Sequence, residues 1–361
     1  MKMFKKILIV TMIAIMINTI LASCCQKVIC TSSRVSEGQP VKVAVFLIDF
    51  TDDYISLVRQ NLEEIQKQNE DKVKFTFYDG KSSPTIQGKE IDEVLKEGTD
   101  LILLNLIDYR NSTTVQTVIN KIKETNTPVI LFNREPLTTD AIKSYAKALY
   151  IGTDAKEGGR LQGEILVNAW NDNKQDIDRN RDNIMQYIIL EGERNNIEAI
   201  DRTKYSVLTI QQAGIRTQEL ALRFCDWNTE LAREATEALL LKYGGKIEVI
   251  NANDDSMAVG AIQALQAYGY NKGDKTKTIA VIGFDAVPEV RDLISKGIML
   301  GSVIQDPKAL AEALYTCGMN LVYGKSAIDG TKYKFDDTGV SIRIPYKGYV
   351  MYSNNKNTNQ D

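Results

Sequence analysis

The sequence predicts an α/β protein of two lobes, each a doubly wound parallel sheet with helices on both faces. Short apolar runs suited to buried strands alternate with segments whose apolar residues recur at helical spacing, from residue 43 to residue 304. The series contains more strands than one small sheet holds, so two sheets facing each other across a cleft are expected. Ligands of such folds bind beyond the carboxyl ends of the strands.

The elements fall into two series, separated by Asn133-Arg134-Glu135-Pro136. In the first series we predict strands over 43–48, 73–78, 101–104 and 129–132, with helices over 55–65, 86–96 and 114–124. In the second we predict strands over 149–151, 186–190, 215–220, 248–252, 278–284 and 299–304, and helices over 156–171, from about 198, and over 229–243, 256–268 and 287–296. Such regular alternation indicates parallel strands joined by crossover helices.

The N-terminus has the pattern of an export signal. Lysines at positions 2, 5 and 6 precede an uncharged apolar run over 7–21, which is too short to span a bilayer comfortably. The run ends in Leu-Ala-Ser-Cys and resembles a bacterial lipoprotein signal, with residues 1–23 removed and Cys24 lipidated. A plain signal peptide cut nearby is the alternative, and either one predicts an exported protein. Residues 24–41 are expected to form a flexible tether to the outer face of the membrane.

Composition excludes several function classes. The 361 residues contain no histidine, which excludes Ser-His-Asp and Cys-His catalytic groups and histidine-ligated metals. The formal net charge of −3 does not favour nucleic acid or an anionic membrane surface as a partner. Only Cys225 and Cys317 lie beyond the tether, without a paired framework, so no disulfide is expected. We expect a monomer.

Residues 178–186 place oxygen-bearing groups at alternate positions, the spacing with which a looped backbone wraps Ca²⁺. The donors at the first, third, fifth, seventh and ninth places are Asp178, Asn180, Asp182, the Ile184 carbonyl and Gln186. Asn183 stands where the turn usually needs glycine, and asparagine is the next best residue there. The twelfth place has no carboxylate, so the last ligand of a structural calcium site must come from elsewhere. A solvated polar linker is the alternative.

Polar and aromatic residues follow nearly every predicted strand. They are Asp52, Asp53, Tyr54, Asn105, Asp108, Asn133, Arg134, Glu135, Asn195, Asn196, Arg202, Trp227, Asp254, Asp255, Asp285, Gln305 and Asp306. Carboxylates, amides and arginine hydrogen-bond sugar hydroxyls, and flat rings pack on the C–H faces of a pyranose. Each polar residue taken singly is also explained as a turn or helix cap. Together, at the expected edge, they favour a sugar site.

These blocks resemble the galactose/glucose-binding proteins of bacterial sugar importers, which are type I periplasmic binding proteins. The resemblance spans roughly residues 42 to 352 and includes Asp52-Asp53-Tyr54, 132–136, 253–258, 283–289 and the calcium loop. It implies a three-segment hinge, with crossovers near 127–131, Gln305 and Ile344-Pro345. The implied segments are 42–128 plus 306–343 for the N-terminal lobe, 131–304 plus 345–352 for the C-terminal lobe, and a disordered tail over 353–361.

The resemblance also implies the ligands of both sites. Asp52, Asn105, Arg202 and Asp285 match the residue types of the family's sugar site, and Tyr54 and Trp227 match its pair of stacking rings. Four positions depart from the family pattern, namely Asn196 for histidine, Glu198 for aspartate, and Asp254 and Gln305 for asparagine. Glu248 matches the bidentate carboxylate that completes the calcium site.

The sequence therefore predicts a lipid-anchored receptor, and not an enzyme, that captures galactose or glucose for the permease of an ABC importer. One alternative is a sensor that presents sugar to a chemoreceptor or sensor kinase, and another is a receptor for a different sugar. A glycosidase that uses a carboxylate pair such as Asp52 and Glu198 is a more distant alternative, which incubation with aryl glycosides would reveal.

Overall fold

The computed structural model describes residues 38–351. The predictions for the signal peptide, for Cys24, for most of the tether and for the tail lie outside these residues. Within residues 38–351, no helix has both the length and the apolar character needed to cross a membrane. Among the described residues, Cys225 and Cys317 are free and buried.

The described chain alternates strands with helices from its first strand onward. The strands are β1 (Val41–Leu47), β2 (Val73–Asp79), β3 (Leu101–Leu104), β4 (Val129–Phe132), β5 (Ala148–Gly152), β6 (Ile184–Glu191), β7 (Arg216–Phe224), β8 (Val249–Ala252), β9 (Ala280–Ile282), β10 (Gly301–Ile304), β11 (Ser341–Arg343) and β12 (Lys347–Val350). The helices are α1 (Asp53–Gln68), α2 (Pro84–Glu97), α3 (Ser112–Glu124), α4 (Asp140–Lys143), α5 (Ala155–Ile177), α6 (Ile197–Gln212), α7 (Thr229–Tyr243), α8 (Asp255–Ala267), α9 (Pro288–Ser295) and α10 (Pro307–Val322). Gly244–Lys246 and Lys275–Lys277 form short 3₁₀ turns.

Two six-stranded sheets organise these elements, in the orders β11-β5-β4-β3-β1-β2 and β12-β10-β9-β8-β6-β7. All pairings within them are parallel except that of β12, an antiparallel edge strand beside β10. The strand order reverses beside β1 in the first sheet and beside β6 in the second. The predicted fold class of two doubly wound lobes is confirmed. In such folds, ligands bind at the carboxyl ends of the strands, where the strand order reverses.

The predicted first crossover near 127–131 is wrong. Strand β4 pairs with β5 along Val129↔Ala148 to Phe132↔Ile151, so both strands belong to the first sheet. The chain crosses to the second lobe only after Gly152, just before α5. The short apolar run at 149–151 suits any buried strand, and its sheet is decided by which edge is free to pair. The first lobe consequently contains 41–152 with 307–343, and the second contains 155–304 with 347–350.

Opposite faces of β6 pack into separate cores of the second lobe. Ile188 and Leu190 of β6 pack with the helices on one face, while Tyr187 and Ile189 pack on the other, because successive side chains of a strand alternate. Trp170 of α5 belongs to the second of these cores and does not line the cavity described below. The carboxyl edge of the sheet is left to polar residues.

Candidate functional site

A cavity of about 400 Å³ lies where the carboxyl ends of strands from both sheets meet. Nine of the ten predicted sugar-binding residues line it, namely Asp52, Tyr54, Asn196, Glu198, Arg202, Trp227, Asp254, Asp285 and Gln305. The volume lies within the range of small-molecule sites in proteins. The structure therefore brings together side chains separated by as many as 253 positions in the chain.

Three of these residues cap helices and also face the cavity. Asp52 Oδ1 accepts from the Ile55 N–H at 2.8 Å, and Asp254 Oδ1 accepts from the Met257 N–H at 2.8 Å. Asn196 Oδ1 caps α6 in the same way. The capping role and the site role thus coexist, because a strand end followed by a helix start places the N-cap at the sheet edge. Within the described residues, the second carboxylate oxygens of Asp52 and Asp254 accept no hydrogen bond.

Arg202 supplies the central positive charge of the second-lobe wall. Its Nη1 donates to the Asn253 carbonyl oxygen and its Nη2 to Gln305 Oε1, each at 2.9 Å. The guanidinium lies 3.7 Å from the centroid of the Phe284 ring, and only 5% of the residue is exposed. These contacts orient a planar donor group for bidentate hydrogen bonding. Its Nε is buried without a partner within residues 38–351.

Buried carboxylates surround this arginine. Burial raises the pKa of Asp254 to about 7, and burial also raises the pKa of Asp285 well above its ordinary value although Arg202 opposes the shift. Behind them, Asp255 Oδ1 accepts from Ser302 Oγ at 2.8 Å, and burial raises its pKa to about 8. The cavity therefore offers both charged acceptors and, below neutral pH, protonated carboxyls that donate.

Backbone conformation aims Asp285 at the cavity. Its φ of 105° is rare for a residue with a side chain, and the following Ala286 also has a positive φ, of 52°. The Asp285 N–H donates to the Val303 carbonyl oxygen at 2.7 Å, which ties the turn to β10. Strain of this kind persists where surrounding structure holds it, and is common in ligand sites.

The two aromatic rings predicted to clasp a sugar both line the cavity. Trp227 lies in the turn after β7 with φ of 62°, and its ring packs against Gly192. A Cβ at Gly192 would lie 2.2 Å from Trp227 Cζ2, so only glycine leaves room for the indole in this position. The Tyr54 hydroxyl is buried next to Gln305 but makes no hydrogen bond of good geometry to any residue of the described range, 38–351.

Asn105 is the predicted residue that does not line the cavity. It is fully buried, its Oδ1 accepts from the Ile48 N–H at 3.2 Å, and its Nδ2 donates to the Phe132 carbonyl oxygen at 3.1 Å. Its Nδ2 also lies 3.2 Å from Asn133 Oδ1. Asn105 therefore links three strand ends and positions Asn133, which lines the cavity in its place.

Eleven further lining residues are not among the ten predicted sugar ligands, although Asp53, Asn133 and Arg134 are among the strand-end residues named from the sequence. They are Ile48, Thr51, Asp53, Ile55, Asn133, Arg134, Asn228, Thr229, Glu230, Ser256 and Val287. Asn133 and Arg134 were predicted to lie near the ligand because they follow a strand, whereas the family resemblance did not name them as sugar ligands.

Contacts between the lobes cross the mouth of the cleft. Ser256 Oγ donates to Asp53 Oδ2 at 2.5 Å, and Arg134 Nη2 pairs with Glu193 Oε1 at 3.0 Å. Arg110 Nη1 donates to the Arg194 carbonyl oxygen at 2.8 Å. Since each pair joins one lobe to the other, the structure has the lobes drawn together around the cavity.

The loop between α5 and β6 brings the predicted calcium ligands together with Glu248, which is 62 residues beyond Gln186. Glu248 Oε1 accepts from the Arg179 N–H at 2.9 Å and its Oε2 from the Gln186 N–H at 3.0 Å. Asn183 has φ of 63°, the left-handed conformation expected there. Burial raises the pKa of Glu248 to about 7, against these two backbone bonds.

The donor set of this loop suits a hard cation. Asp178 is 5% exposed, and its Oδ1 is buried without a partner within the described residues. Carboxylate, amide and backbone oxygens are the ligands that Ca²⁺ prefers. Among residues 38–351, however, no three His, Cys, Asp or Glu side chains are grouped closely enough to hold a metal by themselves. A cation here would need the amide oxygens of Asn180 and Gln186 and the Ile184 carbonyl as well.

Comparisons with family models and with known proteins both match this chain to periplasmic binding proteins. A family model described as a periplasmic binding protein domain matches residues 43–326. The D-galactose/methyl-galactoside binding periplasmic protein MglB of Haemophilus influenzae is 34% identical over 318 residues, which cover 88% of this chain and 92% of that protein. The ribose import binding protein RbsB of the same organism is 23% identical, with 77% of this chain and 84% of that protein covered.

Solved structures share the fold at lower identity. A periplasmic solute binding protein of an ABC transporter from Actinobacillus succinogenes, with bound D-allose, superposes with a TM-score of 0.71 at 19% identity. The match covers 86% of this chain and 97% of that chain. The myo-inositol binding protein of Caulobacter, bound to myo-inositol, gives a TM-score of 0.67 at 20% identity over 88% of this chain and 95% of that chain.

Proposed function

Because the chain belongs to the periplasmic binding protein family, and is a binding protein rather than an enzyme, we propose that it captures a monosaccharide for an ABC importer. Galactose and glucose are the proposed ligands. The observation that carries the proposal is the cavity of about 400 Å³ lined by Tyr54, Trp227, Arg202 and buried carboxylates. Flat rings and charge-assisted acceptors are what a pyranose requires.

Retention of Asp52, Asp285 and Arg202 supports the choice of sugars. The closely similar MglB of Haemophilus influenzae is a D-galactose/methyl-galactoside binding protein. Asp52 keeps one carboxylate oxygen free toward the cavity, which suits an axial or an equatorial hydroxyl. The four departures from the family pattern alter reach and charge, and a buried group left unpaired costs about 1 to 3 kcal/mol. We therefore expect both hexoses to bind, with unequal affinities.

Calorimetry with galactose, glucose, xylose and ribose tests this proposal. Heat from both hexoses at micromolar concentration, with weaker binding of the pentoses, is the expected result. Tight binding of a pentose with no heat from either hexose would show that Asn196, Glu198, Asp254 and Gln305 define a different ligand. Absence of heat from all four sugars would refute the proposal that the protein captures these monosaccharides.

Calcium is proposed as a structural ion of the loop at 178–186. It would be held by Asp178, Asn180, Asp182, the Ile184 carbonyl, Gln186 and Glu248. The unpartnered Asp178 Oδ1 and the nearby Glu248 carboxylate support this proposal. A bound Ca²⁺ would offset the repulsion between the Asp178 and Glu248 carboxylates, and so fasten the end of α5 to β6 and the start of β8.

Export and lipidation at Cys24 are proposed for the mature protein, with the tether holding the sugar site at the outer face of the membrane. The permease of an ABC importer is the proposed partner, and a monomer is the proposed state. A chemoreceptor or sensor kinase would use the same closed lobes, so uptake of labelled sugar by cells with and without this protein distinguishes transport from sensing.

A further inference from the structure

A second cavity, of about 990 Å³, lies beside the hinge. It is lined by parts of both lobes and by two of the crossovers between them, including Ile304, Pro307, Ile344 and Pro345. Its walls come from α9 and β12 of the second lobe and from α10 and the segment at 332–336 of the first lobe. Nothing in the proposed capture of sugar uses this space.

The charge of this hinge cavity is opposite to that of the sugar cleft. Six basic side chains line it, namely Arg291, Lys308, Lys332, Lys334, Arg343 and Lys347. The acidic residues Asp306 and Asp336 reduce the formal charge of the lining to +4. The sugar cleft instead has six acidic and two arginine side chains in its lining, and the whole chain has a net charge of −3. A concentrated positive cavity on an acidic protein attracts anions.

Three of these lysines are free to bind a ligand. Arg343 is committed to Glu135 and Asp336, and Lys308 lies 4.0 Å from Glu312. Within residues 38–351, Lys332, Lys334 and Lys347 form no ion pair and all three are exposed, while the Lys332 ammonium lies 5.8 Å from the centroid of the Tyr333 ring. They come from different segments, which places flexible ammonium groups around the apolar floor formed by the crossovers.

The two crossovers separate the hinge cavity from the sugar cleft. Gln305 lines the sugar cleft, whereas its neighbours Ile304 and Asp306 line the hinge cavity. Pro345 and Lys347 likewise line the hinge cavity, whereas the hydroxyl of Tyr346 between them lies 3.4 Å from Gln305 Oε1. Extended backbone alternates its side chains in this way. Rotation of the lobes about these crossovers therefore changes the shape of both cavities together.

We propose that the hinge cavity is a second ligand site, for a small organic anion with two or more phosphate or carboxylate groups, and that its occupancy is coupled to closure around the sugar. The lysines bind the anionic groups as point charges. The anion binds independently of which sugar the cleft takes, while the coupling rests on the proposed function. By linkage, the anion and the sugar must change each other's affinity by the same factor.

The test uses 2,3-bisphosphoglycerate as the probe and glycerol as its neutral control, in titration calorimetry at low ionic strength. The wild-type chain is compared with the triple variant Lys332→Gln, Lys334→Gln, Lys347→Gln. A matched triple variant, Lys67→Gln, Lys89→Gln, Lys96→Gln, removes the same charge from exposed positions on α1 and α2. We expect the hinge variant to weaken binding of the probe at least tenfold, the matched variant to change it less than threefold, and glycerol to give no heat.

Absence of binding at millimolar probe, or an equal loss in both variants, would overturn the site, because either result leaves only general attraction to a basic surface. Galactose titrations with and without saturating probe test the coupling, and an unchanged galactose affinity would overturn it. Failure of galactose to bind at all would refute the proposed sugar instead, since the probe titration does not depend on it. The melting temperature of each variant verifies that it is folded.

Discussion

Replacement of Asp254 by asparagine should remove the part of the pH dependence of folding stability that this one carboxyl contributes. Asp254 is 7% exposed, and burial raises its pKa to about 7 from an ordinary value of 3.8. Its Oδ1 caps α8 through the Met257 N–H, a bond that an asparagine side chain also accepts. The substitution thus removes the titrating group and keeps the helix cap.

The sign follows from proton binding in the two states. Between pH 3.8 and about pH 7, the folded protein holds a proton on Asp254 that the unfolded chain has lost. Stability from this group is therefore complete below pH 3.8 and disappears as the pH rises through about 7. At about 1.36 kcal/mol per pKa unit, the change between pH 5 and pH 7.5 is about 2.5 kcal/mol.

Urea unfolding without sugar, at pH 5 and at pH 7.5, measures this effect. Asp254→Asn should lose about 2.5 kcal/mol less stability than the wild type over this interval. Asp306→Asn is the matched control, because Asp306 caps α10 in the same way but is exposed. An equal pH dependence in the wild type and Asp254→Asn would refute the reasoning that burial holds a proton on this carboxyl.

Calcium at 100 times its dissociation constant should stabilise the fold by about 2.7 kcal/mol. EDTA should therefore lower the melting temperature, and Asp182→Ala should reproduce that loss. An unchanged melting temperature after verified calcium removal would contradict a structural calcium ion. Trp227→Ala should weaken binding of every pyranose at least several-fold, because ring stacking contributes about 0.5 to 1.5 kcal/mol beyond buried area, and tight binding by this variant would assign Trp227 to the core. Gly192→Ala should weaken sugar binding similarly, because the new Cβ would lie 2.2 Å from the Trp227 indole. If sugar changes the tryptophan emission of this variant as much as that of the wild type, the prediction is contradicted. Cys24→Ser should abolish labelling by a palmitate analogue and release the protein from membranes, and persistent labelling would rule out this anchor.

Much of the site was predictable because its residues follow local rules. Asp52 and Asp254 were expected at the sheet edge as polar residues between a strand and a helix, and both line the cavity while they cap α1 and α8. The loop at 178–186 has its positive φ at Asn183, where the spacing required a turn. These features depend on a few consecutive residues, so the sequence contains them directly.

Asn105 shows where the same rules fail. The strand-end position predicts a residue that faces the ligand, yet its amide bonds to backbone groups of two neighbouring segments and supports Asn133. The direction of a side chain at a strand end depends on which unsatisfied backbone groups surround it. Those groups come from other strands, and their distance from Asn105 is unknown before the sheet is assembled.

Periodicity and neighbouring residues in the chain were enough to predict the alternation of strands and helices, the edge at which polar residues collect and the oxygen spacing of the loop. The assembled fold is what places β5 in the first sheet, brings Ser256 to Asp53 across the cleft, and gathers basic residues from both lobes around a hinge cavity. These outcomes depend on long-range pairing and packing, in which a short apolar run such as 149–151 suits either sheet equally and only the free edge selects its partner.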